Sequence, residues 1–142
     1  MTVPVVSELA VRLSWSQRVA ARGATAVAHL LILLPPRRLG QALRVMRRGA
    51  RPASTARALQ ARQAAVTVSA RCAGLGCLQR SVATALLCRL QGQWPDWCTG
   101  FRTQPFRAHA WVEVDGVAVG ESADTALFCT IMSVRHPASG RS

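Results

Sequence analysis

A chain of 142 residues suits one compact domain with a core of its own. Half of the residues are apolar, and 18 basic residues face 6 acidic ones for a formal net charge of +12. This excludes wholesale disorder and implies a positive surface, either simply solvated or able to attract acidic peptide, nucleic acid or anionic membrane.

Residues 7–34 carry a helical pattern. Leu9, Leu13 and Trp15 supply its apolar stripe, and Ser7 with Glu8 just inside can open it. Gly23 is a candidate break, and Pro35 and Pro36 end the run. The apolar patch over residues 24–34 is too short to span a bilayer and contains His29, so it reads as a buried helix, with peripheral membrane contact left open. A second helix is expected over residues 38–48, with Leu39, Leu43 and Met46 on its apolar side and Gly49 at its end. Its Arg44, Arg47 and Arg48 form the densest positive cluster. After the interruption at Arg51-Pro52, Ser54 or Thr55 can cap a third helix running towards Ala70, buried through Leu59, Val66 and Val68. These helices hold no catalytic constellation, and His29 is assigned no role.

Gly74, Leu75 and Gly76 form a loop-to-helix junction, and Cys77 opens an apolar helix that should reach Leu90. Leu78, Val82, Ala85, Leu86 and Cys88 give it contact surface, while Gln79, Arg80 and Arg89 offer polar groups. Gly92 and Pro95 mark the exit, and residues 97–102 should begin a sheet. On the next strand Ala110, Val112 and Val114 share one face, with His109, Trp111 and Glu113 on the other. Asp115-Gly116 supplies a hairpin turn. Val117, Val119 and Glu121 alternate on the return, and residues 127–134 offer another strand. The expected architecture is α+β: N-terminal helices and a catalytic helix packed on a small antiparallel sheet. It is read as a single domain (1–142), with a mainly helical part (1–70), a catalytic core (71–134) and a tail (135–142).

The five cysteines are Cys72, Cys77, Cys88, Cys98 and Cys129. An odd number without a secretory signal argues against an extracellular disulfide framework and for a cytoplasmic protein. No Cys-x-x-Cys pair suggests zinc, and neither metal nor cofactor is expected. Cys88 and Cys129 read as core fillers; Cys72 and Cys98 stay unassigned. Cys77 differs in opening a helix, whose N-terminal partial charge favours a thiolate. His109 follows on a strand as a candidate base, and an acid beyond it can fix the imidazole tautomer. Cys77, His109 and an acid thus suit a cysteine hydrolase.

At GCLQRSVATALLCRL and FRAHAWVEVDGVAVGE the chain resembles the transglutaminase-like leader peptidases of lasso-peptide biosynthesis, and the similarity extends upstream through RRGARPASTARALQARQAAVTVSARC. The resemblance implies a papain-like arrangement and cleavage of a ribosomally made precursor, whose leader is removed so that a separate cyclase can close the macrolactam. It also implies a separate leader-recognition protein. Carried over, Cys77 is the nucleophile and His109 the base. The family's third residue is usually Asp, where this chain has Glu121. Asp115 is the runner-up, though its place beside Gly116 already has a turn explanation, and Glu113 reads as an exposed strand residue. A three-residue turn pairing Glu113 with Val117 would put Glu121 opposite His109, whereas a two-residue turn would put Ser122 there. The catalytic assignment selects the longer turn.

Two other classes stand beside this reading. One is an acyl transferase using the same Cys-His pair, since a thioester yields to water or amine alike. The other is a non-enzymatic basic adaptor for peptide or nucleic acid, with nucleic acid disfavoured by the missing motifs and few aromatics.

Overall fold

Ser14 starts the first described helix of the computed structural model, which describes residues 11–139. Its hydroxyl accepts the Gln17 N–H while the Gln17 side chain accepts the Ser14 N–H, a reciprocal cap that fixes the start of α1 (Trp15–Leu31). The helix runs unbroken through Gly23, and Ser7, Glu8 and Leu9 lie outside the described residues. Trp15 is 81% exposed and so is not part of the packing stripe. The buried side consists of Ala21, Ala24, Thr25 and Ala28.

Helix α2 (Pro36–Arg47) begins two residues earlier than expected, because Pro36 sits in the first turn, where a missing N–H costs nothing. Arg51-Pro52 forms a short strand, β1, parallel to β2 (Gln93–Trp94), so the stretch read as an interruption stitches the helical half to the exit of the Cys77 helix. Ser54 accepts the Arg57 N–H and caps α3 (Thr55–Val68). A separate turn, α4 (Ala70–Ala73), follows under its own cap, Ser69. Leu59 is exposed; Ala58, Ala61, Ala64 and Ala65, together with Val66, make the buried face of α3 instead.

Helix α5 (Cys77–Leu90) occupies the expected span and packs on α1, α3 and the sheet. Alanines supply most of the contact: Ala21, Ala24 and Ala28, then Ala58, Ala61, Ala64 and Ala65, meet Val82, Ala83 and Ala85 in one core cluster. Such small side chains allow close helix packing.

The sheet is antiparallel, in the order β5 (Val117–Ala118), β4 (Arg107–Val114), β3 (Asp96–Arg102), β6 (Cys129–Val134). Val112 and Val114 join the helical core, together with Trp94 and Trp97, both essentially fully buried. The Trp97 indole N–H donates to Ser81 on α5 at 3.0 Å, tying helix to sheet. Residues 135 and 136, read as the start of a tail, stay tied to the body: the His136 N–H donates to Asp96, and the Arg135 carbonyl accepts from Arg47.

Three expectations need correction. Cys129 is exposed on the edge strand β6, not a core filler. Glu113 is 8% exposed rather than a solvated strand residue, and it is opposed by the Cys98 thiol and the Arg135 guanidinium. The hairpin turn holds two residues, not three. Val114 pairs with Val117 and Glu113 with Ala118, and Asp115 and Gly116 both have positive φ, the geometry in which Asp-Gly turns favour short hairpins.

Gly100, at mid-strand between β4 and β6, has no room for a side chain: a Cβ there would press on the Cys129 carbonyl and sit 3.0 Å from the Trp111 ring. Gly100→Ala should therefore cost about 1–3 kcal/mol by overpacking between strands, read as a lower urea midpoint with an unchanged slope.

Candidate active site

The segment before α5 is built to hold Cys77 at the helix start. A Cβ at Gly76 would meet the Arg71 carbonyl at 2.5 Å, so only glycine fits where the loop folds back. Arg80, itself buried, donates to the Cys72 carbonyl at 2.8 Å and the Gly74 carbonyl at 3.3 Å, locking the loop from the first turn of the helix. No side chain caps α5, and the N-cap is Gly76.

The short partner strand shapes the other side. β5 stops at Ala118, and after one more bond, from the Val119 N–H to the Val112 carbonyl at 2.9 Å, it leaves β4. The edge of β4 beyond that point is unpaired by β5, and there the Ala110 backbone and the His109 side chain face the Cys77 thiol and lower its pKa. Gly120, with φ of +70°, then turns the chain, and the Glu121 carboxylate reaches the imidazole, Oε1 against Nε2. With Nε2 so engaged, Nδ1 is the nitrogen left for the thiol. Cys77, His109 and Glu121 are thus brought together. The route differs from the expected one, since the two-residue register alone would have put Ser122 opposite His109. Asp115, the runner-up, is an exposed turn residue, and Glu113 belongs to the Arg135 cluster.

Trp111 stacks near His109 with centroids 5.8 Å apart, and Phe128 tilts against it at 5.6 Å. A cavity of about 500 Å³ opens behind this group, lined by Trp111, Phe128, Glu121, Glu113 and Thr125, though by neither Cys77 nor His109.

The electrostatics follow from these contacts. Burial pushes the Cys77 thiol up, but the His109 bond and the Ala110 backbone outweigh it and hold the pKa below the ordinary 9.0. Burial pulls His109 down, yet its bonds to Cys77 and Glu121 raise it to about 9. Burial opposes ionisation of Glu121, which His109 and Arg62 more than offset, so its carboxyl lies below its usual range. By contrast burial pushes Cys88 and Cys98 up to about 12, which leaves them inert.

One charged contact was not signalled by the sequence. Arg62 on α3 is 5% exposed and donates to Glu121 Oε2 from Nε at 3.1 Å and Nη2 at 2.8 Å. An Arg among alanines on a helix reads as a surface residue, and no spacing rule links it to an acid 59 positions later.

Residues 21–133 match the family model of the transglutaminase-like superfamily. The chain belongs to that superfamily. Its members are generally cysteine-dependent enzymes, and the fold here, helices on a small antiparallel sheet, is transglutaminase-like. No curated protein and no solved structure matches the chain. Among the described residues no group of three or more His, Cys, Asp or Glu could hold a metal ion, and no helix is long and apolar enough to cross a membrane.

Within this transglutaminase-like site the lowered Cys77 pKa makes a pH prediction. A depressed thiol pKa means more thiolate near neutrality than an ordinary cysteine has. Alkylation of Cys77 by iodoacetamide, resolved by peptide mass analysis, should therefore show its inflection below pH 9. Glu121→Gln removes the charge that supports imidazolium, so its inflection should move up towards the ordinary value. An identical profile in both proteins would count against the Glu121 coupling.

Proposed function

We propose that this transglutaminase-like protein is a cysteine peptidase that removes the leader from a ribosomally made lasso-peptide precursor, before a separate cyclase forms the macrolactam. The observation that carries the reading is the convergence of Cys77 and His109, which lie in the motifs GCLQRS and AHAWVEVDG that resemble those of the leader peptidases, with Glu121 standing where that family usually has Asp.

In this reading Cys77 Sγ attacks the scissile carbonyl as a thiolate, forming a tetrahedral oxyanion. His109, protonated through its bonds to thiolate and carboxylate, gives its Nδ1 proton to the departing amine as the C–N bond breaks. The core peptide leaves with a free N-terminus, and the leader remains as a thioester on Cys77. Neutral His109 then takes a proton from water, whose oxygen attacks the thioester. The C–S bond breaks, the leader departs as a carboxylic acid, and the thiolate–imidazolium pair is restored. Glu121 holds the ring throughout and offsets its charge.

The partners follow from the same resemblance: the precursor's leader, a separate leader-recognition protein and the cyclase, all in the cytoplasm. Arg44 and Arg48 are exposed on and just beyond α2, a positive surface suited to steering an acidic partner or leader.

The test is mass analysis of precursor incubated with the protein, with and without the leader-binding protein. The wild type should release leader and core, faster with the partner present, with the enhancement weakening as salt rises. Cys77→Ala should abolish release while its circular dichroism stays native, and cleavage by that variant would overturn the assignment. An added amine appearing on the leader would instead identify an acyl transferase. Absence of both cleavage and transfer would point to an adaptor.

A further inference from the structure

We infer that Arg62 is the positioning residue of this site, holding the Glu121 carboxylate so that its other oxygen faces His109. The geometry is specific. Two nitrogens of one guanidinium, Nε and Nη2, converge on Oε2, which leaves Oε1 for the imidazole. Both side chains of the pair are only 6% exposed, so neither charge is well solvated and the ion pair offsets part of that cost. Gly120 takes part as well. A Cβ there would lie 2.7 Å from Arg62 Cδ and 3.0 Å from Nε, so the guanidinium arm lies against bare backbone one residue before the carboxylate it binds. The φ of +70° that turns the chain at Gly120 and the missing side chain that admits Arg62 are two uses of the same glycine.

This arrangement answers the problem that a Glu poses at this position. Its additional methylene gives the carboxylate one more rotatable bond than an Asp, and an unrestrained arm would spend most of its time away from the ring. Two donors of one rigid guanidinium converging on Oε2 hold that oxygen in place more narrowly than a single ammonium would. The charged and titratable groups acting on Glu121 come from three elements: Arg62 on α3, Arg80 on α5 and His109 on β4. Arg62 and Arg80 favour the ionised carboxylate, as does protonated His109. Removing the nearest guanidinium leaves a buried carboxylate that takes up a proton at higher pH, and the imidazolium then loses its counter-charge.

Peptide-resolved iodoacetamide labelling of Cys77 between pH 4 and 10 tests this in the intact chain. It needs no peptide substrate, so a failure of leader cleavage would leave the outcome readable. In Arg62→Gln the lower edge of the reactivity profile should move up by about one pH unit. Arg62→Lys, which keeps the cation but not the paired donors, should fall between that variant and the wild type. In a Glu121→Ala background, Arg62→Gln should change nothing further, since the residue acts through that carboxylate. A role in folding alone would lower the melting temperature without moving the profile. A wild-type profile from folded Arg62→Gln or from Arg62→Lys would overturn the inference, and so would an additional shift on the Glu121→Ala background.

Discussion

The imidazole of His109 stands between a thiol on one helix and a carboxylate on a loop, and the surrounding structure depends on that bridge. Cys77 approaches it from the start of α5, and Glu121 from beyond β5, itself held by Arg62 on α3. The chain segments that meet there are far apart in sequence, so the site assembles only when α3 and α5 are packed on each other and α5 on β4. Alanine makes this close packing possible. Larger side chains at Ala61 or Ala65 on α3, or at Ala83 on α5, would separate the helices and with them the groups they carry.

The sheet contributes by what it omits. A longer β5 would pair the edge of β4 and claim the Ala110 N–H. The short strand leaves that donor to the thiol, and the left-handed turn at Gly120 carries the acid back to the ring. Burial opposes each charge in this group, and each is sustained by a neighbour of opposite sign or by a hydrogen bond. These contacts lower the Cys77 pKa and raise that of His109, the direction that favours a thiolate–imidazolium pair beside the Glu121 carboxylate.

Much of this was legible in the sequence, for physical reasons that differ from residue to residue. The start of α5 was readable because two glycines precede an apolar run, and the β4 face because Ala110, Val112 and Val114 recur at every second position. The meeting of Glu121 with His109 was also readable, but the route to it was not. Asp-Gly favours a two-residue turn, and only the need to set Glu121 opposite His109 argues for a longer one. The backbone kept its preferred turn and made the contact by leaving the sheet at Gly120. The helical core was harder to see, since alanine gives little periodic signal and the residues that looked like anchors, Trp15 and Leu59, face solvent. Arg62 and Arg80 were hidden because arginines on helices usually lie at the surface, and only tertiary contact reveals a buried one.

The central claim is that Cys77, His109 and Glu121 form one coupled ionic group. The most direct measurement is a ¹⁵N NMR titration of the His109 ring in the wild type and in Cys77→Ala. The account predicts titration at about pH 9 in the wild type, well above the ordinary 6.5. It predicts a lower value once the thiolate is removed, because burial still disfavours the imidazolium. Titration near 6.5 in both proteins would contradict it.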